Sequence, residues 1–211
     1  MAKKTGPNGQ DEFLGTFGDD VYFQGNGKGK VSGGDGNDTL TGGNGKDDLN
    51  GDAGDDLLSG GNAKDLLNGG AGSDMLNGGI GKDTLWGGAD ADTFVFDGSG
   101  LKGGTDTVKD FEATTTVTTT TTDPETGEST TTTTTTLGDV IELHDLLQGY
   151  DAVTSNLSDF VSLTEVNGNT VVSIDRDGAD NGAKFKQVVT LEGVTGLDEA
   201  TVLAAGNIVV S

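Results

Sequence analysis

Aspartate recurs at every ninth residue through the first half of the chain. From Gly6 to Val95 the sequence divides into ten consecutive units of nine residues, with no insertion or deletion. The sixth position is aspartate in nine of the ten units, and Gly29 takes that place in the third. The aspartates are Asp11, Asp20, Asp38, Asp47, Asp56, Asp65, Asp74, Asp83 and Asp92. Short carboxylates beside glycine-rich turns indicate loops that coordinate a hard cation.

A second row in the same repeat is apolar. The eighth position carries Phe13, Tyr22, Val31, Leu40, Leu49, Leu58, Leu67, Leu76, Leu85 and Phe94. We expect the first six residues of each unit to form a turn and the last three to form a short strand with one inward side chain. One such residue cannot make a core alone, but stacked copies can form an apolar ladder in a parallel solenoid. Two units would make a coil, so ten predict about five coils spaced ~4.8 Å apart.

The composition excludes several classes of protein. The chain has 211 residues, 31% of them hydrophobic, and a net charge of -23, so a large conventional core is not expected. Nucleic acid and anionic membrane are poor partners for such a charge, and cations are the natural ones. The chain has no cysteine, which excludes disulfides and thiolate metal sites. No apolar run approaches the ~20 residues of a spanning helix, and no N-terminal signal peptide is predicted after Met1–Lys4.

The repeat resembles a known family. Units such as GGDGNDTLT (33–41) and GGNGKDDLN (42–50) fit the pattern G-G-x-G-x-D-x-U-x, in which U is a large apolar residue. This pattern is similar to the calcium-binding nonapeptide repeat of the RTX family. The resemblance implies an all-β fold, a right-handed parallel β-roll, with Ca²⁺ as the bound ion. It also implies a secreted or cell-surface protein.

The resemblance further implies a ligand set shared by a turn and the turn two units later. Six aspartate pairs would hold about six ions, with eight as the upper limit: 20/38, 38/56, 47/65, 56/74, 65/83 and 74/92. The first turn of each pair would give the carbonyls of its second and fourth residues: Thr16, Gly18, Gly34, Gly36, Gly43, Gly45, Asp52, Gly54, Gly61, Ala63, Gly70 and Gly72. The second turn would give those of its first and third residues: Gly33, Asp35, Gly51, Ala53, Gly60, Asn62, Gly69, Ala71, Gly78, Ile80, Gly87 and Ala89.

Two places depart from this regular scheme. Gly29 removes a carboxylate from the pairs 11/29 and 29/47, which should be weak or empty. Asp83 has no regular partner below it, so Asp106 and Asp110 are candidates to close the last site. The alternative is that the aspartates only cap their own turns, which does not explain why aspartate keeps one phase while its neighbours vary.

Charge favours coupled folding and binding. Residues 6–95 contain 15 Asp, one Glu and five Lys, a net charge of -11 (5 - 16), and six Ca²⁺ ions would add twelve positive charges. Without metal, the stacked carboxylates would repel one another. We therefore expect calcium to decide whether the roll folds.

The second half is predicted to close the roll and to carry an export signal. We divide the chain into a leader (1–5), the roll (6–97), a closing segment (98–112), a threonine-rich insertion (113–137) and a C-terminal domain (138–211). Residues 138–211 resemble the C-terminal, uncleaved type I secretion domain of large bacterial RTX adhesins. Strands are expected over 160–193, then a short helix over Leu197–Ala205 and a final strand.

No catalytic centre is expected within the chain. His144 is its only histidine and cannot alone form a zinc protease site. The turn Asp175–Asp180 resembles an EF-hand loop only faintly, because Lys186 stands where that loop needs a glutamate. The chain is therefore predicted to be a non-enzymatic calcium-binding module at the end of an adhesin, with the type I secretion machinery as a partner and a surface ligand bound through upstream domains. The alternative is the tail of a secreted enzyme or toxin whose catalytic domain lies upstream.

The threonine-rich tract 113–137 interrupts the resemblance. Threonine favours strands, and the central DPETGES is a good turn, so a protruding hairpin is predicted. A glycosylated linker and an ice- or surface-binding row of threonines are the alternatives.

Overall fold

Two parallel sheets form the body of the molecule. The computed structural model describes residues 3–5, 11–98, 103–122, 129–143, 146, 157–175 and 185–210. The first sheet contains, in spatial order, β1 (Lys3–Thr5), β3 (Val21–Asn26), β5 (Thr39–Asn44), β7 (Leu57–Asn62), β9 (Met75–Ile80), β11 (Thr93–Phe96), β15 (Val140–Leu143) and β19 (Ile208–Val210). The second contains β2 (Asp11–Leu14), β4 (Gly29–Asp35), β6 (Asp48–Ala53), β8 (Leu66–Ala71), β10 (Thr84–Ala89), β12 (Asp106–Val108), β18 (Lys186–Leu191), β17 (Asn169–Ile174) and β16 (Val161–Val166).

The chain alternates between the two sheets, and strands pair at a distance of 18 residues. Leu40 lies opposite Leu58 in the first sheet, and Leu49 lies opposite Leu67 in the second. Every residue of the predicted apolar ladder is buried in one continuous core. The all-β parallel solenoid of about five coils is thus confirmed. Each coil takes two units of nine residues, because the strands pair at a distance of 18 residues. The inward residue of each unit packs on those above and below it.

The strands are longer than the repeat suggested. We expected three-residue strands, but β5 to β10 each have six residues and extend into the first three positions of the next unit. The second residue of the unit takes part in this pairing, as Gly43 does with Gly61. The first glycine also points inward, where a Cβ on Gly42 would lie 2.5 Å from a carboxylate oxygen of Asp47. Glycine at this position therefore keeps space free beside the aspartate.

The C-terminal strands extend the same two sheets. β12 pairs with β10, and β15 pairs with β11, both in parallel. β18 then adds to β12 and β19 adds to β15. Beyond β18 the second sheet becomes antiparallel through β17 and β16, which are joined by a tight turn at Asn167-Gly168 with positive φ at both residues. The division at residue 138 stays a prediction, but its strands share the roll's core.

Helix is scarce in the described part of the chain. A 3-10 turn covers Leu157–Asp159, and the one α-helix, α1, covers Glu199–Ala204 within the predicted range. Asp198 caps α1 by accepting the N–H of Thr201, and Gly206 follows it with φ 77°. None of the helices described here is long and apolar enough to cross a membrane.

The threonine tract forms a separate two-stranded sheet. β13 (Thr115–Thr122) pairs antiparallel with β14 (Ser129–Thr136), in the arrangement that the predicted hairpin requires. The side chains of residues 131–136 are all exposed. His144 and residues 176–180 of the EF-hand-like turn lie outside the described residues.

Candidate calcium sites

The aspartates of the repeat form two buried rows, one at each edge of the roll where the chain passes between sheets. One oxygen of each aspartate, Oδ1, accepts the backbone N–H of the residue 18 positions earlier. Asp56 Oδ1 lies 2.6 Å from the nitrogen of Asp38, and Asp65 Oδ1 lies 2.7 Å from that of Asp47. The same bond recurs at Asp38, Asp47, Asp74, Asp83 and Asp92. Each carboxylate therefore fixes the turn before it in the stack.

The second oxygen, Oδ2, has no partner in the protein. Seven Oδ2 atoms are buried without a hydrogen bond: those of Asp38, Asp47, Asp56, Asp65, Asp74, Asp83 and Asp92. A buried charged oxygen without a partner is strongly unfavourable. Its recurrence at the same place in seven of the ten units indicates that something outside the protein, a cation or a proton, completes the carboxylate.

A glycine lies against each of these oxygens. A Cβ built on Gly51 would fall 2.1 Å from Asp56 Oδ2 and 2.5 Å from the Gly69 carbonyl oxygen. A Cβ on Gly60 would fall 2.6 Å from Asp65 Oδ2 and 2.8 Å from the oxygen of Gly78. The same pairing of an aspartate with a glycine carbonyl two units later occurs beside Gly33, Gly42 and Gly69. Each of these carboxylate oxygens thus shares a glycine with a main-chain carbonyl oxygen two units later, and both are hard oxygens of the kind that bind Ca²⁺.

The donor atoms at these places suit a hard cation such as Ca²⁺, because they are carboxylate and carbonyl oxygens. Within the described residues, no three Asp, Glu, His or Cys side chains cluster around a common point. A cation here would therefore need main-chain carbonyls among its ligands. The third-position carbonyls of Ala53 and Ala71 each accept one N–H, from Gly36 and Gly54. A carbonyl oxygen has two lone pairs, so these atoms keep capacity for a ligand bond.

Burial raises the pKa of these carboxyl groups. Desolvation is the largest cause throughout, and it raises the pKa of Asp56, Asp65 and Asp92 to about 7. The pKa of Asp74 and of Asp83 rises to about 6. Asp38 and Asp47 shift in the same direction. Without a cation, part of the row would hold protons near neutral pH.

The structure stacks the turns of all six predicted pairs, but one pair differs. In the pair 20/38, Asp20 Oδ2 accepts the N–H of Thr16 at 2.7 Å. This carboxylate oxygen therefore has a hydrogen-bond partner in the protein, unlike the Oδ2 atoms of the later aspartates. Two other departures from the pattern keep the required backbone. Asp52 and Ala63 both adopt positive φ, 76° and 91°, in turns where glycine is usual.

The break at Gly29 is filled by a side chain. Gly29 still donates its N–H to Asp47 Oδ1 at 2.6 Å. Gln24, which replaces the first glycine of that unit, is fully buried and accepts the hydroxyl of Tyr22 at 2.5 Å. A Cβ on Gly29 would lie 2.7 Å from the Gln24 amide oxygen. A neutral amide thus occupies the place of the missing carboxylate.

Below the last units, two aspartates continue the rows and one does not. Asp106 Oδ1 accepts the N–H of Asp83 at 2.8 Å, so it takes the expected place under Asp83. Asp110 instead accepts the N–H groups of Gly87 and Gly88, in the last part of β10. Our sequence reasoning missed Asp139, whose Oδ1 accepts the N–H of Asp92 at 3.0 Å. Both Asp106 and Asp139 stand two residues before a buried apolar residue, as in the repeat, and that signal could have found Asp139.

A known family of repeats matches part of the chain. The fold and its aspartate rows define a calcium-binding parallel β-roll. The family model for the RTX calcium-binding nonapeptide repeat (4 copies) matches residues 23–58 and again residues 59–94. Residues 23–94 are thus a run of RTX calcium-binding nonapeptide repeats, a repeat that binds Ca²⁺ in general.

A solved structure of a repeat subunit is similar to this chain. The AlgE6R3 subunit of the Azotobacter vinelandii mannuronan C5-epimerase, solved in solution, is 24% identical to this chain. The alignment covers 96% of this chain and 80% of that subunit, with a TM-score of 0.34. No curated protein matches the chain.

Proposed function

We propose that this chain is a structural module that folds on about six Ca²⁺ ions bound between stacked turns. The observation that carries the proposal is the set of seven buried, unpartnered Oδ2 atoms. Five of the predicted pairs, 38/56, 47/65, 56/74, 65/83 and 74/92, have both the free carboxylate oxygen and the facing glycine carbonyl. The pair 20/38 would be the sixth and the weakest of these.

The energy of binding is large enough to decide folding. At a tenfold excess of calcium over Kd, each site stabilises the folded state by ~1.4 kcal/mol, so six sites contribute about 8 kcal/mol. A whole domain typically has a stability of ~5–15 kcal/mol. Removal of calcium should therefore unfold much of the roll.

A matched pair of glycine variants tests the sites directly. In Gly51→Ala, the new methyl would collide with Asp56 Oδ2, whereas a Cβ on Gly98, which lies outside the ligand set, meets nothing within 4 Å. Neither glycine has the positive φ that would strain alanine. CaCl₂ should be titrated into EDTA-treated protein, followed by far-UV circular dichroism and calorimetry. We expect Gly51→Ala to bind one ion fewer and to need several-fold more calcium to fold, and Gly98→Ala to behave as wild type. Equal behaviour of the two variants, or a wild-type chain folded in EDTA at neutral pH, would overturn the proposal.

We further propose that the module reaches the outside of the cell unfolded, by type I secretion, as the non-catalytic end of an adhesin-like protein. RTX repeat proteins are typically extracellular, which agrees with this route. The pairing of β15, β18 and β19 with strands of the roll adds support, because the C-terminal segment can complete its sheets only when the roll has formed. An acidic chain kept unfolded at low calcium could cross a channel and then fold in millimolar calcium.

Export measurements separate this proposal from calcium binding itself. Deletion of residues 138–211 should abolish secretion, and chelation of external calcium should slow it. Export at equal rates with and without external calcium would contradict folding-driven export while leaving the calcium sites intact.

A further inference from the structure

The two edges of the roll carry opposite exposed charge. The units whose turns lead from the first sheet to the second have lysine at their fifth position, at Lys28, Lys46, Lys64 and Lys82. We call these four turns the lysine edge. The registers of β3, β5, β7 and β9 place them directly above one another, one strand spacing apart. All four lysines are exposed. A row of ~14 Å therefore presents four positive charges.

The opposite edge is acidic. Its fifth positions include Asp19, Asn37, Asp55 and Ser73, followed by Ala91 in the last unit. The first four form a ladder in which a side-chain oxygen accepts the N–H of the residue 18 positions later. Exposed Asp35 and Asp90 belong to the same edge, which has no lysine. Although the net charge of the chain is -23, one edge of the roll therefore presents a row of basic residues.

The lysine edge has few counter-charges in the protein. Among the described residues the one ion pair joins Lys109 to Glu192, neither of which belongs to this edge. Asp48, two residues after Lys46, is exposed. Lys46, Lys64 and Lys82 are each followed directly by a buried aspartate whose Oδ2 has no hydrogen bond, at Asp47, Asp65 and Asp83. When calcium neutralises those carboxylates, the lysines repel one another with few balancing charges. An external anion of matching spacing would relieve that repulsion.

A row of amides runs beside the lysines. Asn26, Asn44 and Asn62 are exposed and stacked, with each lower amide donating to the one above it. Amides and ammonium groups together suit a ligand that repeats hydroxyl and carboxylate groups along its length. Bases of single-stranded nucleic acid would need aromatic platforms, but the exposed phenylalanines in the described part of the chain, Phe17, Phe23 and Phe185, do not lie on these turns.

We propose that the lysine edge of the calcium-loaded roll binds a linear acidic polysaccharide, with uronate carboxylates on the lysine row and sugar hydroxyls on the asparagine row. The proposal rests on the proposed calcium binding, because the ions remove the negative field behind the lysines. A second copy of the chain fits less well, since the acidic row of its partner would be interrupted at Asn37 and Ser73.

The test uses the full chain with a defined probe, octameric oligogalacturonate, and neutral maltooctaose as its uncharged counterpart. Calorimetry is run in CaCl₂ on wild type, on a lysine-edge variant (Lys46→Gln, Lys64→Gln and Lys82→Gln) and on a control of the same charge change elsewhere (Lys4→Gln, Lys109→Gln and Lys186→Gln). We expect wild type and control to bind the oligogalacturonate alike, and the edge variant to bind about tenfold more weakly or not at all. Binding should weaken with NaCl and be absent for maltooctaose.

Circular dichroism on the same samples separates the two proposals. A chain that folds with calcium but does not bind oligogalacturonate, or whose edge variant binds as well as the control, overturns this inference and leaves the calcium sites standing. Tighter binding of single-stranded DNA than of the oligogalacturonate, or calcium-dependent dimers that the edge substitutions abolish, would also overturn it. A chain that neither binds calcium nor folds with it would overturn the proposed function itself.

Discussion

The repeats of the roll and the strands that follow it share two sheets but satisfy their aspartates differently. In the roll, Asp56 uses one oxygen to hold the N–H of Asp38 and leaves the other buried without a partner. At the C-terminal end, Asp139 uses one oxygen for Asp92 and the other for the N–H of Glu112, at 3.0 and 2.8 Å. The same position in the stack thus has protein partners for both oxygens in one region and for only one oxygen in the other.

This difference indicates how the molecule divides its sources of stability. The roll has one ladder of apolar residues and depends on what neutralises its carboxylates. The C-terminal region adds an antiparallel hairpin, β16–β17, whose Val172 and Ile174 are buried with Val189 and Leu191 of β18. We therefore expect conditions that alter the carboxylates to affect the roll first.

The largest expected effect is that of pH on the calcium-free protein. Burial raises the pKa of Asp56, Asp65 and Asp92 to about 7, from 3.8. The folded state therefore binds more protons than the unfolded chain, so these groups stabilise it fully below pH 3.8 and lose that effect as pH rises through about 7. In EDTA we expect β-structure at about pH 5 and its loss between about pH 6 and 8. Circular dichroism against pH measures this. Stability that rises with pH in EDTA would contradict the account.

The next largest effect is expected from truncating buried side chains in the two regions of the shared core. Leu67 lies in the middle of the ladder and is fully buried, as is Val172 in the C-terminal hairpin. Leu67→Ala should cost ~2–5 kcal/mol, and Val172→Ala somewhat less because fewer methyl groups are removed. In Leu67→Ala we also expect the calcium midpoint for folding to rise, because binding and folding are coupled. Denaturant unfolding in saturating calcium gives both energies, and a Leu67→Ala cost below that of Val172→Ala would count against the ladder.

A pair of isosteric changes should respond to calcium with opposite signs. Asp56→Asn keeps the acceptor for Asp38 but removes the charge, so it should weaken binding in calcium and stabilise the folded state in EDTA at neutral pH. Asp139→Asn must turn an N–H₂ group toward one of two backbone N–H donors, so it should cost ~1–3 kcal/mol under both conditions. Melting temperatures with calcium and with EDTA test this. If both variants are destabilised equally in EDTA, Asp56 is not a metal ligand.

The smallest effect is expected from the threonine hairpin. β13 and β14 pair only with each other, and residues 131–136 are exposed. Replacement of residues 116–135 by a short Gly-Ser turn should change stability by less than about 1 kcal/mol and leave calcium binding unchanged. A loss of several kcal/mol would show that the hairpin supports the roll.

The sequence predicted the structure of the repeat better than that of the segments that follow it. The nine-residue period predicted which residues of the ladder from Phe13 to Phe94 are buried and how they pair, since each unit of a solenoid contacts its neighbours in the same way. The six-residue strands were missed because glycines at the start of a unit are typical of turns. In the structure these residues belong to strands, and Gly43 pairs with Gly61. Asp139 was missed because the hairpin insertion separates it from Asp92 by 47 residues, and only the folded sheet brings them together.

A crystal structure of the full chain grown in CaCl₂, with anomalous differences recorded, tests the central claim most directly. The account predicts an ion between Asp56 Oδ2 and the Gly69 carbonyl oxygen, bound to both at ~2.3–2.6 Å, and the same peak at the four equivalent places. The account would be contradicted if these places held only water in the presence of calcium. It would also be contradicted if the aspartates were protonated there and hydrogen-bonded to the carbonyls.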